Sequence, residues 1–232
     1  MATDWKKAGK NKAESVLNLI PQEWQLEKIP SKEEQRDVTG PYIEQFLSKQ
    51  EVEITTTGAV GIVANTTSGK WKSVDVAKAF CHRAALAHQL VNCLHEIFFD
   101  QAIKSAEELD KYYEQNEKPI GPLHGLPVSL KDQFHVKDVE THMGYVGWIG
   151  TFQGEKGTDK EKKFESEMVR ELRSLGAVLY VKTSVPHTLM CGETVSLTCW
   201  EQRATQWLPW NTPRGTYFER PVGGIRLQSV LI

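Results

Sequence analysis

Apolar positions in the middle of the chain recur first at a helical period and then as a short continuous run. The spacing predicts a helix that begins at Ser73, whose hydroxyl can cap the first turn. The apolar face of this helix is Val76, Phe80, Ala84 and Ala87. The run CLHEIFF, residues 93–99, predicts a short strand. Asp100 is then expected to cap a second helix, which ends before Pro119.

A strand, a helix and another strand follow along the chain. The segment GLPVSLKDQF, residues 125–134, is typical of a short buried strand, although it carries Lys131. A glycine-rich loop then leads to a helix. The apolar face of that helix is Phe164, Met168, Leu172 and Leu175. Gly176 suits the left-handed position after the helix, and AVLYVK, residues 177–182, is typical of a buried strand that ends before Pro186. This order predicts a parallel strand pair and an α/β fold.

Composition divides the chain into three stretches. Residues 1–50 predict a peripheral helical extension, whose first helix is closed by Pro21. The apolar face of this first helix is Trp5, Ala8, Val16, Leu17 and Ile20. Residues 51–194 hold the strand and helix pattern and are expected to form the main domain. Residues 195–232 keep neither period, so we expect a divergent tail produced by altered splicing, a frameshift or an error in the gene model.

The totals indicate a globular protein with no general attraction to nucleic acid or to anionic membranes. The 232 residues carry a net charge of -2, and 40% of them are hydrophobic. No apolar run approaches the length of a membrane span, and the N-terminal segment lacks the apolar core of a secretory signal. The cysteines form no C-x-x-C pair, which favours free thiols and a cytoplasmic location. They are Cys81, Cys93, Cys191 and Cys199.

Lys131 needs an explanation, because buried strands avoid charge. One alternative is structural: Lys131 and Asp132 form the exposed end of a strand, with a neighbouring carboxylate as the partner of the lysine. The other alternative is functional, since a neutral lysine can act as a general base or as a Schiff-base nucleophile. Spacing alone leaves these alternatives open.

Short motifs for metal or phosphate binding are incomplete. His95 begins HEIFF, which resembles the zinc motif H-E-x-x-H, but position 99 is Phe. His82 and His88 are six residues apart and are expected on different helix faces. The pair at Gly69 and Lys70 lacks the earlier glycine of a phosphate-binding loop. We therefore expect no metal and no nucleotide at these positions.

Two longer motifs resemble the amidase signature family, and in particular its fungal acetamidase-like branch. They are GPLHGLPVSLKDQF and LRSLGAVLYVKTSVPHTLMCGET, in that order. The resemblance implies a mixed, largely parallel sheet covered by helices. It also implies hydrolysis of small amides through a Ser–cis-Ser–Lys triad, without a metal or an organic cofactor. Lys131 would be the base of this triad, and the substrate pocket would include Leu189, Met190 and Cys191.

The two serines of the triad have no matching motif here. Gly223 and Gly224 are followed by Ile225 and Arg226, where the family pattern has serine. No motif assigns either role to Ser229. The sequence therefore leaves two functions open: an amide hydrolase that uses Lys131, or a catalytically inactive fragment that binds another protein chain. We expect a small amide as substrate and no nucleic acid or membrane partner, and leave self-association open.

Overall fold

A small mixed sheet lies among helices in this computed structural model, which describes residues 4–31 and 33–185. The helices in this part of the chain are α1 Trp5–Leu17, α2 Pro41–Glu44, α3 Lys49–Thr56, α4 Ala59–Thr67, α5 Ser73–Val91, α6 Phe99–Asn116 and α7 Glu167–Ser174. The strands are β1 Glu96–Ile97, β2 Pro127–Lys131 and β3 Val178–Thr183. None of these helices combines the length and the apolar composition that a bilayer span requires.

The sheet has the order β1-β3-β2, with β3 at its centre. β3 pairs with β2 in parallel and with β1 in antiparallel fashion, so the described sheet is mixed. The expected strand–helix–strand unit is thereby confirmed, with α7 as its helix. The α/β class and the helical N-terminal segment are confirmed as well. The division into three stretches stays a prediction, and α3 spans the expected boundary at residue 50.

Helix α5 forms the centre of the core, where it packs between α3, α6 and the sheet. All four residues of its predicted apolar face are buried, as are most of its alanines. Small side chains let the neighbouring helices approach α5 closely, and Phe80 meets the Tyr180 ring of β3 edge-on at 6.2 Å. The helical period therefore identified this element correctly.

Two helix starts differ from the sequence prediction. Ser73 is the first residue inside α5 and Lys72 holds the cap position, so the prediction that Ser73 caps the helix was wrong. The carboxylate of Asp110 on α6 accepts the Ser73 and Val74 main-chain N–H groups, at 2.6 and 3.0 Å. The Asp110 carboxylate, from another helix, thus caps the start of α5 in place of the Ser73 hydroxyl. Asp100 likewise lies within the first turn of α6, one residue after its start.

The predicted apolar faces of α1 and α7 were only partly right. In α7 the buried positions are Val169 and Leu172, whereas Phe164 precedes the helix and is exposed. In α1, Val16 is buried but Trp5 and Leu17 are exposed. Phe164 is exposed because α7 begins only at Glu167. Trp5 and Leu17 are the two end residues of α1 and face away from the core, whereas Ile20, beyond the end of α1, is buried.

Gly176 joins α7 to β3 in a turn that only glycine can make. Its φ of +92° is left-handed, and an added Cβ would lie 2.8 Å from the Cα of His124. The carbonyl of Gly176 accepts the N–H of Gly125 at 2.9 Å, and Leu126 accepts the N–H of Val178 at 2.8 Å. This close approach fixes the start of β2 against the start of β3. The predicted left-handed position is confirmed.

We expect Gly176→Ala to destabilise the chain strongly. The left-handed φ alone costs an alanine roughly 1–2 kcal/mol, and overlap with the His124 main chain adds about 1–3 kcal/mol. Gly157→Ala is the matched control, because Gly157 has a φ of +72° but open space around its Cα. Urea denaturation followed by circular dichroism measures both variants. Equal losses in the two variants would contradict the close approach at Gly176.

Candidate functional site

Lys131 is the last residue of β2 and lies half-buried at the carboxyl end of the strand. It stands opposite Thr183 of β3, and its carbonyl accepts the N–H of Phe134 at 3.1 Å. Across residues 4–31 and 33–185, no hydrogen-bond or ion-pair partner contacts its ammonium group. The structural alternative, in which a nearby carboxylate neutralises this lysine, therefore finds no support in the described part of the chain. The catalytic role of Lys131 stays a prediction.

Asp132 is fully buried, so the expectation of an exposed strand end was wrong for this residue. Its Oδ1 atom accepts a hydrogen bond from the Lys182 ammonium at 3.2 Å. Its Oδ2 atom accepts the main-chain N–H groups of His142 and Met143, at 3.2 and 2.8 Å. The Nε2 atom of His95 lies 3.0 Å from the same oxygen. Four groups thus surround one carboxylate, and each can donate to it.

Lys182 is the second-last residue of β3 and is fully buried. Besides Asp132, its ammonium donates to the carbonyl of Glu140 and to Oγ1 of Thr141, both at 2.6 Å. These three acceptors use all three N–H bonds of the group. Burial lowers the pKa of Lys182, while Asp132 and then Glu96 raise it, and the net shift is downward.

A second lysine that pairs with carboxylates in this region comes from the N-terminal helix. Lys12 of α1 lies 2.6 Å from Oε1 of Glu96 and 2.8 Å from Oε2 of Glu140. Burial lowers the pKa of Lys12, but the two carboxylates outweigh it and the net pKa is raised. Glu96 in turn contacts Nε2 of His142 at 3.0 Å. We call the set the buried charge cluster; it consists of Lys12, His95, Glu96, Asp132, Glu140, His142 and Lys182.

The two histidines of the cluster lie 2.9 Å apart, from Nε2 of His95 to Nδ1 of His142. One pair of neutral tautomers satisfies these contacts. With its proton on Nε2, His142 donates to Glu96 and accepts at Nδ1. With its proton on Nε2, His95 donates towards both His142 and Asp132. The cluster therefore forms a continuous hydrogen-bonded chain from β1 to the end of β2.

The same side chains include two groups whose ligand atoms lie close enough to hold a metal ion. The groups are His95, Asp132 and His142, and Glu96, Glu140 and His142; within each, the ligand atoms lie within 4.8 Å of one another. However, the Lys182 ammonium already binds Asp132, and the Lys12 ammonium bridges Glu96 and Glu140. Lysines thus supply the positive charge that a metal would bring. The absence of a metal stays a prediction.

Sequence patterns missed the charge cluster almost entirely. Its one local signal is Lys182, a second lysine in an apolar strand, which the interpretation of AVLYVK as a buried strand left without a role. His95 was given no function because its zinc motif is incomplete, and no sequence pattern singled out His142. The predicted pocket residues fall outside the described part of the chain. They are Leu189, Met190 and Cys191.

A surface cavity and two cysteines are further candidates for a site among the described residues. A surface cavity of about 410 Å³ is lined in part by Trp71, Tyr113 and His124. His124 comes just before β2, so this cavity lies at the end of the strand opposite Lys131. Cys81 and Cys93 are free thiols, and burial raises the pKa of Cys93 to about 12. Such thiols are poor nucleophiles.

A comparison against known families bears on the fold and on the family of this chain. The sequence model of the amidase family matches residues 75–212, which is more than half of the chain. The chain therefore belongs to the amidase family, as the two motifs predicted.

Fungal enzymes are among the similar relatives. The chain is 45% identical over 195 residues to an acetamidase of Aspergillus oryzae, a match that covers 84% of this chain and 34% of that protein. It is 43% identical over 196 residues to an acetamidase of Emericella nidulans, with the same coverage. A solved fatty acid amide hydrolase superposes with a TM-score of 0.69 at 35% identity, over 81% of this chain and 32% of that one. The chain thus spans about a third of the length of these relatives.

We expect Lys182→Met to unfold the chain much more readily, because it leaves the buried Asp132 carboxylate without its cation. Removal of one partner of a buried ion pair costs about 3–5 kcal/mol. Lys10→Met is the matched control, since Lys10 is exposed and pairs with Glu14 on the surface of α1. Urea denaturation gives both free energies of unfolding. A loss at Lys182 no larger than that at Lys10 would contradict the buried pair.

The stability that Asp132 contributes depends on pH in a defined direction. Burial raises the pKa of Asp132, but His95, Lys182 and His142 outweigh burial and set the folded pKa well below the unfolded value of about 3.9. Its contribution is therefore complete above about pH 5 and is lost as the pH falls through the acid range. The difference in free energy of unfolding between the native chain and Asp132→Asn should shrink over that range. Asp138→Asn, at an exposed position, should show no such trend.

Proposed function

We propose that this chain belongs to an enzyme that hydrolyses small carboxylic amides, with Lys131 as its general base. The observation that carries this proposal is the position of Lys131, half-buried at the carboxyl end of β2 with no acidic partner among the described residues. Ligands of α/β proteins commonly bind at the carboxyl ends of strands. Membership in the amidase family and the similarity to two acetamidases support amide hydrolysis.

The proposed chemistry follows the triad that the family resemblance implies. The neutral amine of Lys131 takes the proton of a bridging serine, which takes that of a nucleophilic serine. The nucleophile attacks the amide carbonyl, and main-chain N–H groups stabilise the oxyanion. Lys131 returns this proton through the bridging serine to the amide nitrogen, the C–N bond breaks, and ammonia or an amine leaves. Water then hydrolyses the acyl-enzyme ester to a carboxylic acid and restores the serine hydroxyl. The sequence holds no matching motif for the two serines, and the proposed pocket residues Leu189, Met190 and Cys191 lie outside the described residues.

The substrate class is a short, uncharged amide, and acetamide is the first candidate because two of the similar relatives are named acetamidases. A cytoplasmic location fits the free thiols of Cys81 and Cys93, since oxidising compartments favour disulfides.

Self-association of the chain is a further proposal. Sedimentation velocity measures the mass of the particle in solution and distinguishes a monomer from an oligomer.

A second function, protein binding without catalysis, rests on the sheet. The order β1-β3-β2 leaves one edge of β1 and one edge of β2 without a strand partner among the described residues. Such edges pair readily with another strand, either from the same protein or from a partner. This function needs no serine and no substrate.

Ammonia release from acetamide separates the two functions. The hydrolase proposal predicts that the native chain releases ammonia and that Lys131→Ala does not, because the relay then has no base; the binding function predicts release from neither. Lys131→Arg should be equally inactive, since a guanidinium stays protonated. Lys137→Ala, at an exposed position six residues later, is the control and should keep full activity. A folded native chain without ammonia release would defeat the hydrolase proposal and favour the binding function.

A further inference from the structure

We propose that Asp132 is a positioning residue, which anchors the end of β2 to Lys182 and His95 and thereby holds the amine of Lys131 in place. This inference deepens the proposed function and rests on it. Asp132 does not touch the reacting atoms in this proposal; it acts through the main chain of the residue before it.

The first step of the argument is the attachment of residue 132 to β3. The main-chain N–H of Asp132 donates to the carbonyl of Thr183 at 2.9 Å. The carboxylate of Asp132 binds the ammonium of Lys182, which comes directly before Thr183 in β3. The ladder between β2 and β3 is irregular between Val128 and Leu130. An irregular ladder sets the strand end less firmly than a continuous one. The side-chain contact therefore supplies a second attachment directly after Lys131.

The second step concerns the loop that follows. Oδ2 of Asp132 accepts the N–H groups of His142 and Met143, and Met143 has a left-handed φ of +47°. A non-glycine residue in this conformation needs compensating contacts to stay there. The Asp132 carboxylate supplies these contacts. The same carboxylate therefore holds both the loop at residues 141–144 and the end of β2.

The third step concerns the side chains that hold Asp132 itself in place. His95 contacts the carboxylate and His142, and His142 contacts Glu96, which binds Lys12 of helix α1. The anchor is thus connected to β1 and to the N-terminal helix, and it has little freedom to shift. A lysine side chain is long and flexible, so its amine reaches a fixed point only if its main chain is fixed. A displacement of about 1 Å at a reacting group can cost about 10²-fold in rate.

The effect on catalysis is tested with Asp132→Asn in the full chain. We expect kcat for acetamide to fall by up to about 10²-fold with KM nearly unchanged. The pH at which kcat is half-maximal should also move, because the environment of the base changes. Loss of folded enzyme alone scales the rate at every pH but does not move that midpoint. Asp138→Asn is the matched control and should leave kcat, KM and the midpoint unchanged.

A second measurement needs no activity. The chain is treated with a limiting amount of an amine-reactive ester, and mass spectrometry gives the extent of labelling of Lys131 relative to the exposed Lys137 in the same molecules. We expect a severalfold rise in this ratio in Asp132→Asn, because the strand end loosens and the Lys131 amine becomes more accessible. If the native chain releases no ammonia but this ratio rises, the hydrolase proposal fails while the anchoring of Lys131 stands.

A milder variant covers the case in which Asp132→Asn fails to fold. Thr141→Val removes one acceptor of the Lys182 ammonium while nearly keeping the shape of the side chain. It should change the labelling ratio in the same direction by a smaller factor. If folded variants at both positions leave the labelling ratio, kcat and its pH midpoint as in the native chain, Asp132 is not a positioning residue.

Discussion

The buried ion pair between Asp132 and Lys182 is the constraint on which the carboxyl end of the sheet depends. Removal of two such charges from water costs several kcal/mol for each ion, and their mutual attraction alone does not reliably offset this. The pair is tolerated here because the Lys182 ammonium has three acceptors and the Asp132 carboxylate is surrounded by donors. The strand, the loop and the N-terminal helix are therefore held by one polar network in an otherwise apolar core.

Most of the fold could be predicted from the sequence because its signals are local. The period of α5, the apolar runs of β2 and β3 and the glycine after α7 each lie within a few residues. The errors arose where a distant residue intervenes. Asp110 of α6 caps α5 in place of Ser73, and no spacing rule within α5 indicates that contact. Helix ends were also overextended, since packing rather than period sets where α1 and α7 stop.

The candidate site likewise has one residue that the sequence identified and several that only the structure revealed. Lys131 could be found because a lysine in an apolar strand is unusual and because its motif resembles that of a family. The groups around it could not, since Lys12, His95, Asp132 and Lys182 come from four separate segments. A sequence pattern does not show which distant side chains surround a buried histidine or lysine. Family motifs name the residues that react, whereas the residues that hold them are visible only in three dimensions.

The contact between Lys12 and Glu140 spans 128 residues, which bears on how the protein is made. At a synthesis rate of 5–20 residues per second, Lys12 of helix α1 is translated roughly 4–17 s before Glu96 and roughly 6–26 s before Glu140, its two acidic partners. Until then Lys12 has no carboxylate partner from this cluster, and the apolar side chains of α1 have no core to pack against. The nascent chain must keep this helix from other apolar surfaces until Glu140 and then β3 emerge, so it is during translation that this region is most open to chaperones and to misassembly.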